Sequence, residues 1–133
     1  MGDMEHGMIT RELSDCETLI MKIIWDAKED IAVQELIVRL RERFGKDYAR
    51  TTVVTFLKKL SDKGYVSTYR IGRASYAHAQ KDEEHYKQQL LEDETKFWFN
   101  GKPSGLMSAL CRTQKITREE ADKIREMLNE LDG

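Results

Sequence analysis

The sequence predicts a mainly α-helical protein with one small β-hairpin, organised as a domain over residues 9–80 and a helical segment over residues 81–133. Apolar residues recur at helical spacing in three consecutive segments. The chain then passes through a stretch rich in Val, Thr and Tyr, which is typical of strands, and returns to helical spacing. The single proline in 133 residues agrees with a chain dominated by helices.

The first two helices have the clearest sequence patterns. Residues 13–27 form one apolar stripe, with Ser14 as the predicted N-cap and Glu17 as its capping-box partner. A second stripe covers residues 33–44, and Gly45 follows its last apolar residue, where glycine commonly ends a helix.

The third helix is predicted over residues 49–64, with Gly64 at its end. Its buried face consists of four large apolar side chains, Val53, Phe56, Leu57 and Leu60. Three short helices can bury such stripes only against one another, so we expect a three-helix cluster.

A β-hairpin follows, with strands over residues 65–71 and 74–79 and a turn at Gly72-Arg73. The alternation of apolar and polar residues is irregular, so its register is not predicted. Three helices followed by a hairpin predict a winged helix-turn-helix domain.

The remaining residues predict three more helices. The first begins near residue 82 and ends in an aromatic cluster at residues 97–99. The second is short, over residues 106–112, and the third begins at Thr117, with Glu120 as its capping-box partner.

The charge distribution indicates one basic surface. The net charge is −2, yet residues 45–80 contain seven Lys or Arg and two Asp or Glu, between two acidic segments. A local cationic excess is expected where a surface meets phosphates.

Other functional classes find no support in the sequence. No apolar run approaches the roughly 20 residues that span a bilayer, and residues 1–7 do not form a signal peptide, so we expect a cytoplasmic protein without membrane insertion. Cys16 and Cys111 are expected to be buried thiols in a reducing compartment. The histidines lack metal-ligand spacing and no catalytic motif is present, so we expect no metal, no cofactor and no enzymatic activity.

The third helix leaves a polar face once its apolar stripe is buried. This face carries hydroxyls and cations, namely Arg50, Thr51, Thr52, Thr55, Lys58 and Lys59. An α-helix fits the major groove of DNA, where short threonines approach base edges and lysines meet phosphates. Arg70 and Arg73 flank the hairpin turn, in position for the adjacent backbone or minor groove. We therefore predict double-stranded DNA as the partner.

Two alternatives remain open from the residues alone. A winged helix that binds proteins instead of DNA predicts an apolar or acidic exposed face on the third helix. A regulator that responds to a small molecule predicts a pocket between the winged domain and the C-terminal helical segment, although the sequence shows no convergent polar group to anchor a ligand.

Two stretches, LSDCETLIMKIIWD and ARTTVVTFLKKLSDKGYVSTYRIGRASYAHA, resemble the penicillinase and methicillin-resistance repressor family of bacteria. The similarity spans about residues 9–131. Its most specific marks are Ile23-Ile24-Trp25 in the first helix, Arg-Thr-Thr-Val opening the third, and the turn at residues 62–65.

The resemblance implies a homodimeric repressor that binds a palindromic operator. It places the DNA contacts on Arg50, Thr51, Thr52, Thr55 and nearby basic residues, with Arg70 or Arg73 in the wing. It also implies intertwined C-terminal helices, whose candidate interface residues are Phe97, Trp98, Phe99, Leu106, Met107, Leu110, Ile124, Met127 and Leu128. These are more apolar groups than three short helices bury alone.

The resemblance leaves the releasing signal open. Penicillinase repressors are inactivated by proteolysis that a membrane sensor triggers, at an Asn-Phe bond, and the aligned bond here is Ala109–Leu110, which departs from that pattern. The copper-responsive branch carries Cys-x-Cys motifs near its C-terminus, and this sequence has none.

Overall fold

The computed structural model describes residues 12–113 and 115–132, which form six helices and three strands. The acidic residues 1–7 and the beginning of the predicted 9–80 domain lie outside the described part. In chain order the elements are α1 Asp15–Ala27, β1 Ile31–Ala32, α2 Val33–Phe44, α3 Arg50–Asp62, β2 Val66–Ile71, β3 Ala74–Ala79, α4 Glu83–Phe99, α5 Pro103–Thr113 and α6 Arg118–Asp132. The predicted mainly helical fold with a small hairpin is confirmed.

Local signals set the ends of the helices. The Ser14 hydroxyl accepts a hydrogen bond from the Glu17 N–H at 3.2 Å, and the Glu17 carboxylate accepts one from the Ser14 N–H at 2.8 Å, which completes the predicted capping box. Gly45 ends α2 and Gly64 follows α3, both with positive φ, at 67° and 83°. In α6 the Thr117 hydroxyl caps the helix by accepting from the Glu120 N–H.

The sheet is antiparallel, in the order β1–β3–β2. Tyr69 pairs with Tyr76 and Arg70 with Ser75, so the hairpin register is now defined. The sequence predicted only two strands, and the third, β1, pairs with β3 through Ile31 and Ala77. Two residues are too few for a strand to show alternation, so the pattern did not reveal it.

The core lies among α1, α2, α3 and the sheet. Its buried apolar residues are Leu13, Ile20, Met21, Ile23, Ile24, Ile31, Val33, Leu36, Leu40, Val53, Leu57, Leu60, Tyr65, Val66 and Ala77. The predicted cluster of three helices is therefore present, and its third member is held with one face inward.

The structure divides into two compact units, one ending at Leu90 and one starting at Leu91. The first unit extends past residue 80 because Tyr86 packs on Trp25 and Tyr65, with ring centroids 5.3 and 6.0 Å away. The second unit consists of the end of α4 with α5 and α6, and these three helices contain no buried residue.

Candidate nucleic-acid interface

Helix α3 begins with backbone donors that no side chain among the described residues caps. Its N-cap, Ala49, makes no side-chain hydrogen bond, and the first turn carries no acidic residue. The first N–H groups of a helix point outward and carry partial positive charge. This end of α3 therefore adds positive potential to the surface, which favours the approach of an anionic duplex.

The two faces of α3 differ as predicted. Val53, Leu57 and Leu60 are buried, while Phe56 is half-buried against the core. The predicted contact residues lie on the other side: Arg50, Thr51, Thr55, Lys58 and Lys59 are exposed, and Thr52 is half-buried. Apart from the exposed Val54, this side is thus hydroxylic and cationic, unlike the apolar or acidic face that a protein-binding winged helix predicts.

The threonines of α3 have different hydrogen-bonding capacity. The Thr55 hydroxyl donates to the Thr51 carbonyl at 2.9 Å, so its proton is engaged within the helix. Its oxygen can still accept and its methyl group remains available for apolar contact.

The cations of this surface lack carboxylate partners within the described chain, whereas others are paired. Arg50, Lys58 and Arg70 make no ion pair there. Arg43, by contrast, lies 2.7 Å from the Asp26 carboxylate. Unpaired exposed cations remain available to neutralise phosphates.

The hairpin places its two arginines differently. Arg73 is exposed in the turn beside Gly72, whose φ is 62°. Thr68 pairs with the buried Ala77, so Thr68 lies on the hairpin face that is turned towards the core. Side chains alternate along a strand, so Arg70, two residues further on, lies on the same face. Arg70 and Lys58 line one cleft between the hairpin and α3.

A contact that the sequence did not reveal holds the hairpin to the loop after α1. The Tyr69 hydroxyl donates to one Asp30 carboxylate oxygen at 2.5 Å, and the His78 ring nitrogen Nδ1 lies 2.7 Å from the other. The hydrogen bond from Tyr69 is the largest cause, and the contact with His78 the next, of a pKa of Asp30 below its usual range. No local pattern connects residue 30 with residues 69 and 78, so only the fold could reveal this contact.

A buried carboxylate holds the C-terminal end of α3. Glu17 is 1% exposed, and the Lys63 ammonium donates to its carboxylate at 2.7 Å and to the Glu12 carbonyl at the same distance. Burial raises the pKa of Glu17, but the Lys63 ammonium and the Ser14 N–H outweigh burial and keep that pKa below its usual range. The sequence identified Glu17 only as a capping residue.

The candidate interface residues of the second unit are distributed over its three helices. Phe97, Trp98 and Phe99 lie on α4, Leu106, Met107 and Leu110 on α5, and Ile124, Met127 and Leu128 on α6. Trp98, Met127 and Leu128 are 65%, 59% and 55% exposed. The Ala109–Leu110 bond lies within α5.

The cysteines depart from the prediction. Cys16 is half-buried, with its sulfur 2.8 Å from the Tyr48 hydroxyl, and Cys111 is exposed. The expectation that both are buried is wrong for the chain alone, because α5 has no buried position to offer Cys111.

Residues 12–113 and 115–132 contain neither a candidate metal centre nor a candidate membrane span. His, Cys, Asp and Glu form no cluster of three there that could hold a metal ion. None of the described helices combines the length and apolar character needed to cross a bilayer.

Comparison with known families decides the classification. The penicillinase repressor family matches residues 13–130. The chain belongs to the penicillinase repressor family. It is accordingly a DNA-binding transcriptional repressor, and its three-helix cluster with a β-hairpin is the winged helix of that class.

Solved structures resemble this penicillinase repressor family member in fold. A transcriptional regulator from Thermotoga maritima is 20% identical, with 97% of this chain and 77% of that chain covered and a TM-score of 0.51. RosR of H. salinarum is 13% identical, with 90% and 94% covered and a TM-score of 0.51. The DNA-binding domain of the repressor BlaI is 29% identical over 54% of this chain and 84% of that domain, with a TM-score of 0.47. A search of curated proteins gave no match.

Proposed function

We propose that this family member is a cytoplasmic homodimeric repressor that binds a palindromic operator, with α3 in the major groove and the hairpin turn on the adjacent DNA. The proposal rests on the division of α3 into a buried apolar face and an exposed face of threonines and cations that have no ion-pair partner in the described part of the chain. A helix with these two faces presents hydrogen-bonding groups to base edges and positive charge to phosphates.

The proposed contacts follow from position along α3. N-terminal residues of a recognition helix reach furthest into the groove, so base contacts fall to Arg50, Thr51, Thr52 and Thr55. Phosphate contacts fall to Lys58, Lys59, Arg70 and Arg73, which lie further along the helix and on the hairpin.

The proposed homodimer is supported by the exposure of the second unit. A tryptophan on α4 and a methionine and a leucine on α6, each more than half exposed, are unusual on the helices of a monomer. A second copy of the same helices covers such a surface through a two-fold axis. Two-fold symmetry of the protein requires a palindromic operator, with half-sites about one helical turn or a multiple apart.

The operator experiment is a fluorescence-anisotropy titration of the purified protein. Duplexes covering the region upstream of its own gene are compared with shuffled duplexes of equal composition, at several salt concentrations. We expect one upstream duplex to bind more tightly than its shuffled version, and affinity to fall steeply with salt because phosphate contacts release counterions. Equal affinity for all duplexes would contradict the proposal.

Matched variants separate base from phosphate contacts. Thr51→Ala should reduce discrimination between correct and altered operators by about 1–3 kcal/mol, whereas Lys58→Ala should weaken binding to all duplexes alike and lower the salt dependence. Arg39→Ala is the control, because Arg39 lies on α2 and is paired with Glu35 at 2.9 Å. A control as damaging as Lys58→Ala would indicate general charge attraction in place of a defined interface.

Release by proteolysis at Ala109–Leu110 remains a prediction of the family resemblance, with a membrane-sensor-triggered protease as partner. Ala109 is half-buried within α5, so cleavage requires that helix to unwind locally. Mass spectrometry of the repressor from induced cells should then detect a fragment that ends at Ala109. An intact chain in derepressed cells would exclude this route.

A further inference from the structure

We propose that the cleft between α3 and the hairpin binds a small amphipathic organic anion, such as an aromatic carboxylate, and that this ligand competes with operator DNA. The inference rests on the proposed function, since the ligand would occupy two of the cations assigned to phosphates. It adds a releasing signal that acts within the first unit.

The cleft has the size and wall composition of a small-ligand site. Its volume is about 450 Å³, and sites for small organic molecules measure about 300–1,000 Å³. Val33 and Leu57 form a buried apolar floor, and Val54 extends that apolar wall to the surface.

Val54 is the exposed apolar residue that α3 contributes to the cleft. It is 46% exposed on α3, on the side that faces the cleft and between cationic and hydroxylic neighbours. An isopropyl group offers nothing to a phosphate, but an aromatic ring over it removes apolar surface from water. The apolar part of the ligand is therefore assigned to Val54 and Leu57.

Two cations in the cleft favour a ligand with a negative charge. Lys58 comes from α3 and Arg70 from β2, and both line the cleft without an ion-pair partner among the described residues. Asp62 also lines the cleft, one helical turn beyond Lys58, and repels an anion at that end. The carboxylate is thus assigned to the Lys58 and Arg70 side.

Competition with DNA follows from the shared cations. A bound carboxylate would neutralise the two charges that otherwise contact phosphates, and the ring would fill the space between α3 and the hairpin. Ligand and operator then each lower the affinity for the other by the same factor. Release by this route needs no cleavage of the chain.

The binding experiment uses 1-naphthoate, with uncharged 1-naphthalenemethanol as a matched probe of the same ring. Calorimetric titration of the full chain should show saturable binding of naphthoate and much weaker binding of the alcohol. Naphthoate should also displace operator DNA in the anisotropy assay. Absence of saturable naphthoate binding up to several millimolar, or equal affinity for the two probes, would overturn the proposal.

Paired variants on opposite faces of the hairpin locate the site. Ser75 pairs with Arg70 and lines the cleft, whereas Ser67 pairs with His78 on the other face. Ser75→Phe should abolish naphthoate binding, and Ser67→Phe should leave it intact. Retained binding in Ser75→Phe, or loss in both variants when circular dichroism shows that both are folded, would overturn the assignment.

Lys58→Met provides a second test if Ser75→Phe does not fold. It should weaken naphthoate binding about two- to fivefold, the range for an exposed ion pair, and leave the alcohol unchanged. Equal naphthoate affinity in Lys58→Met and the unaltered protein would overturn the role of that cation. Operator binding without naphthoate is measured in parallel, so failure of the ligand proposal is distinguishable from failure of the repressor proposal.

Discussion

The two units of this repressor differ in whether they bury their apolar side chains. In the first unit Leu36 and Ile20 are completely buried, and three helices and a sheet share one core. In the second unit Leu128 is 55% exposed and Leu131 82% exposed, and none of its helices contains a buried residue. Both units are helical and amphipathic, so helix formation alone does not decide whether a core forms.

The difference separates two kinds of stability. A unit with its own core is stabilised by burial that does not depend on protein concentration. A unit whose apolar groups stay exposed gains that stabilisation only from another chain, so its stability depends on concentration. We infer that the first unit is the part that reads DNA and that the second is completed by a second copy.

Truncating a core residue of the first unit should have the largest effect. Leu36→Ala removes a fully buried side chain and leaves a cavity, so the free energy of unfolding should fall by about 2–5 kcal/mol, independent of protein concentration. Urea denaturation followed by far-ultraviolet circular dichroism measures it. Leu131→Ala, at an 82% exposed position of the second unit, is the matched comparison: any loss that it causes should depend on protein concentration, because only a second copy would cover that side chain. Equal losses in the two variants, both independent of protein concentration, would remove the distinction between the units.

Trp98→Ala tests whether a second copy covers the second unit. A tryptophan that acts as an interface hot spot contributes about 2–4 kcal/mol, so the free energy of dimerisation should weaken by that amount, which is seen as a higher dimer dissociation constant. Urea unfolding of the first unit should change little. Analytical ultracentrifugation at several concentrations measures it. Lys96→Ala, an exposed neighbour on α4 paired with Glu92, is the control. An unchanged dissociation constant, or a monomer at every concentration, would contradict the proposed interface.

Glu17→Gln tests the ion pair that joins α1 to the end of α3. Loss of a buried charge-assisted hydrogen bond should lower the free energy of unfolding by about 1–3 kcal/mol at pH 7. Because folding lowers the pKa of Glu17, its stabilisation is present above its ordinary value of 4.5 and is lost as the pH falls through the folded-state value.

Urea denaturation at pH 7 and at progressively lower pH provides the measurement for Glu17→Gln. The difference between the variant and the original protein should shrink on acidification. Asp15→Asn, an exposed first-turn carboxylate on the same helix, controls for a general effect of charge at the helix N-terminus. A difference that stays constant with pH would show that the carboxylate charge is not involved.

The sequence predicted the elements of the first unit because their signals are local. Ser14 with Glu17 and the glycine after α2 each act within a few residues, and the structure contains both as predicted. The polar face of α3 was also predictable, since burying Val53 and Leu57 determines which residues remain outside. The DNA contacts proposed on that face remain predictions.

The sequence did not predict the contacts between segments that lie far apart in the chain. The pairing of β1 with β3, the ion pair of Lys63 with Glu17 and the contact of Asp30 with the hairpin each join residues far apart in the chain. Their residue types are common on protein surfaces, so composition and spacing carried no signal for them. The cleft was not predicted either, because its walls come from elements that are separate in the chain.

Asp30→Ala should have the smallest effect and tests how the first unit holds its hairpin. Removing the acceptor of the Tyr69 hydroxyl frees the hairpin without touching the core, so we expect operator affinity to fall about two- to fivefold, as for an exposed ion pair. Hydrogen exchange should accelerate in β2 and β3, while the dimer dissociation constant stays unchanged. Asp30→Asn retains an oxygen acceptor for Tyr69 and should recover part of the affinity. If Asp30→Ala left hydrogen exchange in the hairpin unchanged, the contact would have no role in positioning it, and the hairpin would be held by its pairing with β1 and its packing on the core alone.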